Sequence, residues 1–89
     1  MKQIWKWALT PNCAISMPIG AEVLCVQTQN NLPCLWALVS PDPGELGYEH
    51  RHFRTYGTGH YMPDNPGKYI GTFQLNNGVL VFHVFEGVK

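Results

Sequence analysis

The sequence has little charge, and what it has is balanced. Only 13% of its 89 residues are charged, with six Lys and Arg against six Asp and Glu, so the formal net charge is zero. Proteins that bind nucleic acid usually carry a basic excess, because neutralised phosphates supply much of their affinity. We therefore expect no duplex nucleic acid as a partner. A small anionic ligand is compatible with this composition, since it needs only a few local cations.

Closely spaced cysteines and long apolar runs are also missing. The three cysteines, Cys13, Cys25 and Cys34, form no CxxC pair, which disfavours a disulfide framework or a thiolate zinc site and favours reduced thiols in a cytosolic protein. The apolar runs are far shorter than the ~20 residues of a membrane-spanning helix. The N-terminal MKQIWKWALTPN is interrupted by Lys6, so we expect neither a secretion signal nor a membrane partner.

What the chain does have is a series of short alternating segments separated by turn residues. Its 45% hydrophobic residues are enough for a modest core, and no long window shows the helical period of 3.6 residues. Asn30 and Asn31 suit a hairpin turn, and so does the Asn-Gly pair at 77–78. The predicted strands are 3–9, 21–29, 34–40, 50–56, 68–75 and 79–86.

The connections are predicted from their prolines and glycines. Residues 10–20 contain two prolines and a closing glycine, so a loop or an irregular edge is expected there. Residues 41–49 form a turn-rich loop, and the MPDNPGKY segment would allow one short helical turn. The prediction is one all-β domain over residues 1–89, a small antiparallel barrel or sandwich of about six strands built from hairpins.

The stretch FRTYGTGH (53–60) is the best candidate for a ligand site. Alternation on the strand 50–56 places His50, His52, Arg54 and Tyr56 on one face, opposite Phe53. Cations, backbone amides and rings together suit a phosphate or a nucleotide. The candidate ligand-binding residues are His52, Arg54, Tyr56, Thr58, Gly59, His60 and Lys68.

A plainer interpretation of the same stretch is structural. Gly57 and Gly59 would then only let the chain reverse, beside a solvated polar face. The stretch is not GxGxxG, because residue 62 is Met, and no Gly-Lys-Ser/Thr follows that would make a phosphate loop.

The four histidines give weaker signals. His50 and His52 could face one ion, with His60 and His83 as further ligands, but three convergent ligands are usually needed, so we expect no metal and no cofactor. His83 lies in an apolar strand, where we expect a buried imidazole hydrogen-bonded to Tyr56, Tyr69 or Thr72. No nucleophile or pair of carboxylates has a catalytic setting, so no catalytic residue is assigned.

The tryptophans point to the core or to a subunit contact. Trp36 is expected in the core, while Trp5 and Trp7 share one face of a predicted edge strand and would lie in the core or at an interface. Small β domains often cover their edges and apolar faces by association. We therefore expect a homo-oligomer.

Three runs of this sequence resemble a family of small proteins encoded by tailed bacteriophages and prophages. They are VLCVQTQNNLPCLWALVSP, FRTYGTGH and KYIGTFQLNNGVLVFHVFE, and the resemblance extends from MPIGAEVL to the C-terminus. It implies an accessory protein of the host bacterial cytoplasm and carries over no catalytic residue.

The resulting hypothesis is a non-enzymatic binding protein, a counter-defence factor that sequesters a small anionic or nucleotide signalling ligand. The alternatives are a protein–protein inhibitor of a host defence protein or a small structural phage module, and, less favoured, a metal-dependent small hydrolase.

Overall fold

The computed structural model describes residues 1–87, which form seven β-strands and one short 3₁₀ turn at Gly44–Leu46. The prediction of an all-β protein is confirmed. No helix in residues 1–87 has the length and apolar character needed to cross a membrane. The strands are β1 (Gln3–Ala8), β2 (Asn12–Pro18), β3 (Glu22–Gln29), β4 (Leu32–Val39), β5 (Tyr48–Gly57), β6 (Lys68–Leu75) and β7 (Leu80–Gly87).

The strands form two antiparallel sheets. The three-stranded sheet has the order β1-β4-β3, and the four-stranded sheet has the order β2-β5-β7-β6. Both sheets are open in the described part of the chain, so the architecture is a sandwich and not a closed barrel. Each sheet has an inner face toward the other sheet and an outer face directed away from it.

The strand that the sequence did not predict is β2. The prolines made residues 10–20 look like a loop, but Asn12–Pro18 pair with β5 at the edge of the four-stranded sheet. Pro18 ends this strand and Pro11 precedes it, positions where proline costs little ladder pairing. Ile15 and Met17 alternate inward and are buried, and this burial stabilises the strand. The helical turn also differs from the expectation, since it lies at Gly44–Leu46 and not near MPDNPGKY.

The first hairpin tip follows the predicted turn chemistry. Gln29 pairs with Leu32, so Asn30 and Asn31 form a two-residue turn, with φ of 52° and 62°. Positive φ at both central residues defines the type I′ turn that matches the twist of a hairpin. The β4 arm therefore begins at residue 32, two residues earlier than expected.

The second hairpin tip differs from the predicted Asn-Gly turn at 77–78. The Gly78 amide donates to the Leu75 carbonyl, and Asn76 and Asn77 have φ of 52° and 54°, so the turn is centred one residue earlier. Leu75 pairs with Leu80, and β7 begins at residue 80, one residue later than expected.

The core fills the space between the inner faces. Fully buried side chains come from four strands: Met17, Leu35, Ala37, Val39, Phe53 and Val84. The sheets approach most closely where β3 packs on β6. A Cβ at Gly71 would lie 2.7 Å from Val26 Cγ2, so glycine is required for this contact.

Trp36 is placed differently from the sequence-based expectation, whereas Trp5 and Trp7 take one of the two expected positions. Trp36 is half-buried on the outer face of the three-stranded sheet, because its neighbours Leu35 and Ala37 take the inward positions of β4. Trp5 pairs with Ala37 and Trp7 with Leu35, and both rings pack against the core. A strand whose two faces are both apolar does not reveal from sequence which face is inner.

Candidate functional site

The outer face of the four-stranded sheet carries the predicted candidate strand. His52, Arg54 and Tyr56 of β5 line one cavity on this face, while Phe53 is fully buried on the inner face. The alternation predicted for residues 50–56 is therefore what the structure shows. The cavity has a volume of about 350 Å³, within the range of small-ligand sites.

The remaining walls of this cavity come from residues distant in sequence. Pro63, Asn65, Pro66 and Gly67 of the β5–β6 connection lie on one side, and Gly87 of β7 completes the lining. Gly67 has φ of 100°, and a Cβ there would overlap the Glu86 carbonyl. Glycine at position 67 therefore lets the connection lie against the end of β7 and close the cavity.

Arg54 supplies a cation that no described carboxylate neutralises. Within residues 1–87 the one ion pair joins Arg51 to Glu86, on the inner side of the sheet. Arg54 is exposed and lines the cavity together with His52 and Tyr56. A planar guanidinium can bind a phosphate or carboxylate through two parallel hydrogen bonds.

Local contacts determine the shape of the turn 57–60. The His60 amide donates to the Gly57 carbonyl at 3.1 Å, and Gly59 takes the positive φ of 85° that this β-turn favours in glycine. A Cβ at Gly57 would lie 2.7 Å from His60 Nδ1, so Gly57 makes room for the imidazole. Gly59 and His60 do not line the cavity.

Two further candidates are also outside the cavity. Lys68 lines a separate hollow of about 290 Å³ together with Arg51 and Glu86. Thr58 contacts His83, with 2.7 Å between Thr58 Oγ1 and His83 Nε2. Of the seven residues predicted to bind ligand, the structure brings together His52, Arg54 and Tyr56.

His83 is half-buried on the outer face, not fully buried as expected, because no further layer formed by residues 1–87 covers this face of the sheet. Thr72, one of its predicted partners, lies 3.0 Å from Nδ1, and Thr58, the other partner, was not predicted. Thr72 Oγ1 also lies 2.5 Å from the Tyr69 hydroxyl.

The hydrogen bonds around His83 place a hydrogen on Nε2. The Thr58 hydroxyl donates to the Val81 carbonyl, so its oxygen accepts from His83 Nε2–H. On the other side of the ring, Nδ1 pairs with Thr72 Oγ1, which in turn pairs with the Tyr69 hydroxyl.

Arg51 and Glu86 form a two-pronged ion pair. Arg51 Nε lies 2.6 Å from Glu86 Oε2 and Nη2 lies 2.9 Å from Oε1, while Nη1 donates to the Ala21 carbonyl. The hydrogen bond to Glu86 raises the pKa of Arg51, although burial opposes this rise. This group links the four-stranded sheet to the segment that enters β3, and no local sequence pattern indicates the pairing.

The histidines do not assemble a metal site in the part of the chain that the structure describes. No three His, Cys, Asp or Glu side chains converge within residues 1–87. The cysteines there are unpaired thiols, with Cys34 buried and Cys13 and Cys25 half-buried. The metal-dependent hydrolase hypothesis gains no support from this geometry.

The fold and this cavity define a class: a small antiparallel β-sandwich with a cationic, aromatic hollow on one outer face. The chain belongs to the family described as a domain of unknown function, DUF7352, whose model matches residues 1–89. No curated protein and no solved structure matched the chain.

Proposed function

We propose that this protein is a non-enzymatic binding protein that holds a small anionic ligand, of nucleotide type, in the cavity over β5 and β7. The observation that carries this proposal is Arg54, which has no carboxylate partner in the described chain, beside His52 and Tyr56 in a hollow of about 350 Å³. Each group supplies one part of nucleotide recognition: a cation for phosphate, and rings for the base.

The other walls fit such a ligand. The Asn65 side-chain amide offers both a donor and an acceptor for a base edge or a sugar hydroxyl, and Pro63 and Pro66 offer apolar surface. Gly67 and Gly87 keep side chains out of the hollow, so that a ligand can approach the backbone. This mixture of apolar walls and a few polar groups is typical of small-molecule sites.

The biological role that we propose is sequestration in the cytoplasm of a phage-infected bacterium. The resemblance of three sequence runs to phage and prophage proteins supports it, together with a small β domain in which we assign no catalytic residue. A protein that binds a signalling nucleotide without turning it over lowers the free concentration of that nucleotide stoichiometrically. This would make the chain a counter-defence factor.

Isothermal titration calorimetry tests the binding step. We expect wild-type protein to bind AMP or ADP-ribose but not uncharged adenosine, because the Arg54 contact requires an anion. Arg54→Gln should lower the affinity by about tenfold or more, the cost of losing a charge-assisted hydrogen bond. Lys68→Gln removes the same charge from the separate hollow and should leave the affinity unchanged. Equal losses in both variants would overturn the assignment of the site.

A second candidate function, binding to a protein, is favoured by the outer face of the three-stranded sheet. Ile4, Leu24, Cys25, Gln27 and Trp36 line a hollow of about 270 Å³ there, and Ile4 is 59% exposed. Exposed apolar surface on a sheet face is typical of protein contacts. The occupant we propose is a second copy of this chain, whose zero net charge adds no repulsion; a host defence protein is the alternative.

A further inference from the structure

Beyond the cavity, an aromatic row crosses the outer face of the four-stranded sheet. The ring centroids of Tyr56 and Phe85 are 6.0 Å apart, and those of Phe85 and Tyr69 are 5.5 Å apart. Both contacts are edge-to-face, with interplanar angles of 68° and 67°. The row therefore runs from the cavity on β5, across β7, to the edge strand β6.

The strand register explains this row. Tyr69 is directly opposite Phe85 on β7, and Arg54 is opposite Phe85 on β5. The irregularity between Tyr69 and Gly71 shifts the register of β6, which puts Tyr69 on the outer face while Gly71 stays against Val26 on the inner face. The cation of Arg54 consequently lies beside the middle of the row.

The Tyr69 ring is exposed, but hydrogen bonds fix its position. It is 54% exposed, and its hydroxyl is hydrogen-bonded to Thr72. A hydrogen bond joins Thr72 to His83, and another joins His83 to Thr58. An exposed ring gains little stability from such a chain of bonds. A ring that is already ordered, however, loses less conformational entropy when a ligand stacks on it.

Resting on the function proposed above, we infer that Tyr69 forms a second base-stacking subsite, so that the ligand is a dinucleotide: one base at Tyr56, the other at Tyr69, and the linking phosphate near Arg54. Antiparallel sheets that present ordered rings beside a cation stack nucleotide bases in this manner. Joining two bases in one molecule makes the second contact intramolecular, so a dinucleotide binds more tightly than either half. The zero net charge disfavours a longer strand.

Calorimetric titration with AMP, with the linear dinucleotide pApA and with an oligo(A) of about ten nucleotides distinguishes a mononucleotide, a dinucleotide and a longer strand as the preferred ligand. We expect pApA to bind about 5- to 100-fold more tightly than AMP, the range for stacking one further base. Tyr69→Leu should remove this preference and leave AMP binding unchanged. The matched control is Tyr61→Leu, because Tyr61 is fully exposed and outside the cavity lining.

Thr72→Val keeps the Tyr69 ring and breaks the chain of hydrogen bonds that holds it. We expect a partial loss of the pApA preference, smaller than in Tyr69→Leu. A merely structural role of Tyr69 in cross-strand packing would lower the melting temperature and leave the ratio of the two affinities intact, which would overturn the inference. An oligo(A) that binds more than about tenfold tighter than pApA would also overturn it.

The outcomes distinguish this inference from the proposed function. If AMP binds in an Arg54-dependent manner and pApA binds no better, the proposed function holds and the second subsite is wrong. If neither compound nor ADP-ribose binds to folded protein, both are wrong.

Discussion

At the scale of single residues, the glycines separate structural from functional positions. Gly71 and Gly87 both lie in strands, and neither has a positive φ. Backbone conformation therefore does not require glycine at either position. A Cβ at Gly71 would collide with Val26, whereas a Cβ at Gly87 would meet nothing within 4 Å. Glycine at position 71 therefore serves packing, and glycine at position 87 leaves the proposed ligand cavity open.

This contrast predicts opposite phenotypes. Gly87→Val should leave the free energy of unfolding within about 0.5 kcal/mol of wild type, because the position is open and β-branched residues suit strands. It should lower AMP affinity by about tenfold or more by filling the cavity. Gly71→Ala should cost about 1–3 kcal/mol by overpacking against Val26. Urea unfolding and calorimetry measure both effects, and unchanged ligand affinity in Gly87→Val would count against this cavity.

The ion pair of Arg51 and Glu86 gives a second prediction at this scale. Both side chains are 17% exposed. Arg51→Met would leave the Glu86 carboxylate and the Ala21 carbonyl without the donors that now bind them, and it should cost about 2–4 kcal/mol. The double variant Arg51→Met, Glu86→Leu should recover part of this loss, because no unpaired charge remains. Urea unfolding checks both variants, and a double variant less stable than the single one would contradict this account.

The raised pKa of Arg51 also sets the sign of its pH dependence. A raised pKa of a cation means that its stabilisation is complete below the unfolded-state pKa and is lost only as pH rises through the folded-state value. The pKa of arginine in an unfolded chain already lies far above neutral pH. Stability between pH 7 and 9 should therefore not change through Arg51.

At the scale of elements, local chemistry was readable from the sequence and long-range placement was not. Asn30 and Asn31 predicted the first hairpin turn correctly, because short amide side chains tolerate positive φ. Arg54 and Tyr56 were placed on one face by strand alternation alone. The position of residues 63–67 depends on their contact with the end of β7, about twenty positions away in sequence, for which no local pattern exists.

The same limit explains the residues that sequence analysis misplaced. Lys68 follows Gly67 directly, but the start of β6 carries its side chain to the hollow that Arg51 and Glu86 line. Phe85 and Tyr69 were not recognised as partners, because the register shift between Tyr69 and Gly71 is not visible in an alternating pattern.

The first hairpin tip provides a prediction at the scale of elements. Asn30 has φ of 52°, so Asn30→Ala should destabilise the fold by about 1 kcal/mol, the cost of a left-handed conformation for a residue with a Cβ and no compensating side-chain bond. Asn30→Gly should be neutral or slightly stabilising, because glycine adopts positive φ freely. Thermal unfolding of the two variants makes this comparison. Equal stability of the two would contradict the type I′ assignment.

At the scale of the whole molecule, the two outer faces of the sandwich differ in chemistry. The four-stranded sheet presents histidines, tyrosines and Arg54, whereas the three-stranded sheet presents the hollow around Ile4, Leu24 and Trp36. The proposed ligand cavity and the proposed association surface therefore lie on opposite sides of the sandwich.

This separation predicts that association and ligand binding can be removed independently. We expect a homo-oligomer whose contact is the apolar hollow, so Ile4→Asp should reduce its mass to that of a monomer in light scattering after size exclusion. AMP affinity should not change, because Ile4 lies on the opposite sheet. The matched control is Leu46→Asp, which places a charge at an exposed leucine outside that hollow. A wild-type monomer at high concentration would refute the association.

The most direct test of the central claim is an NMR titration of ¹⁵N-labelled protein with AMP. Binding in the proposed cavity predicts that the largest amide shifts occur at residues 52–56, 63–67 and 85–87, which line it or adjoin it. Arg54→Gln should raise the AMP concentration at which these shifts reach half their maximum by about tenfold or more. Shifts concentrated around Ile4, Leu24 and Trp36, or no shifts in a folded protein at millimolar AMP, would contradict the claim.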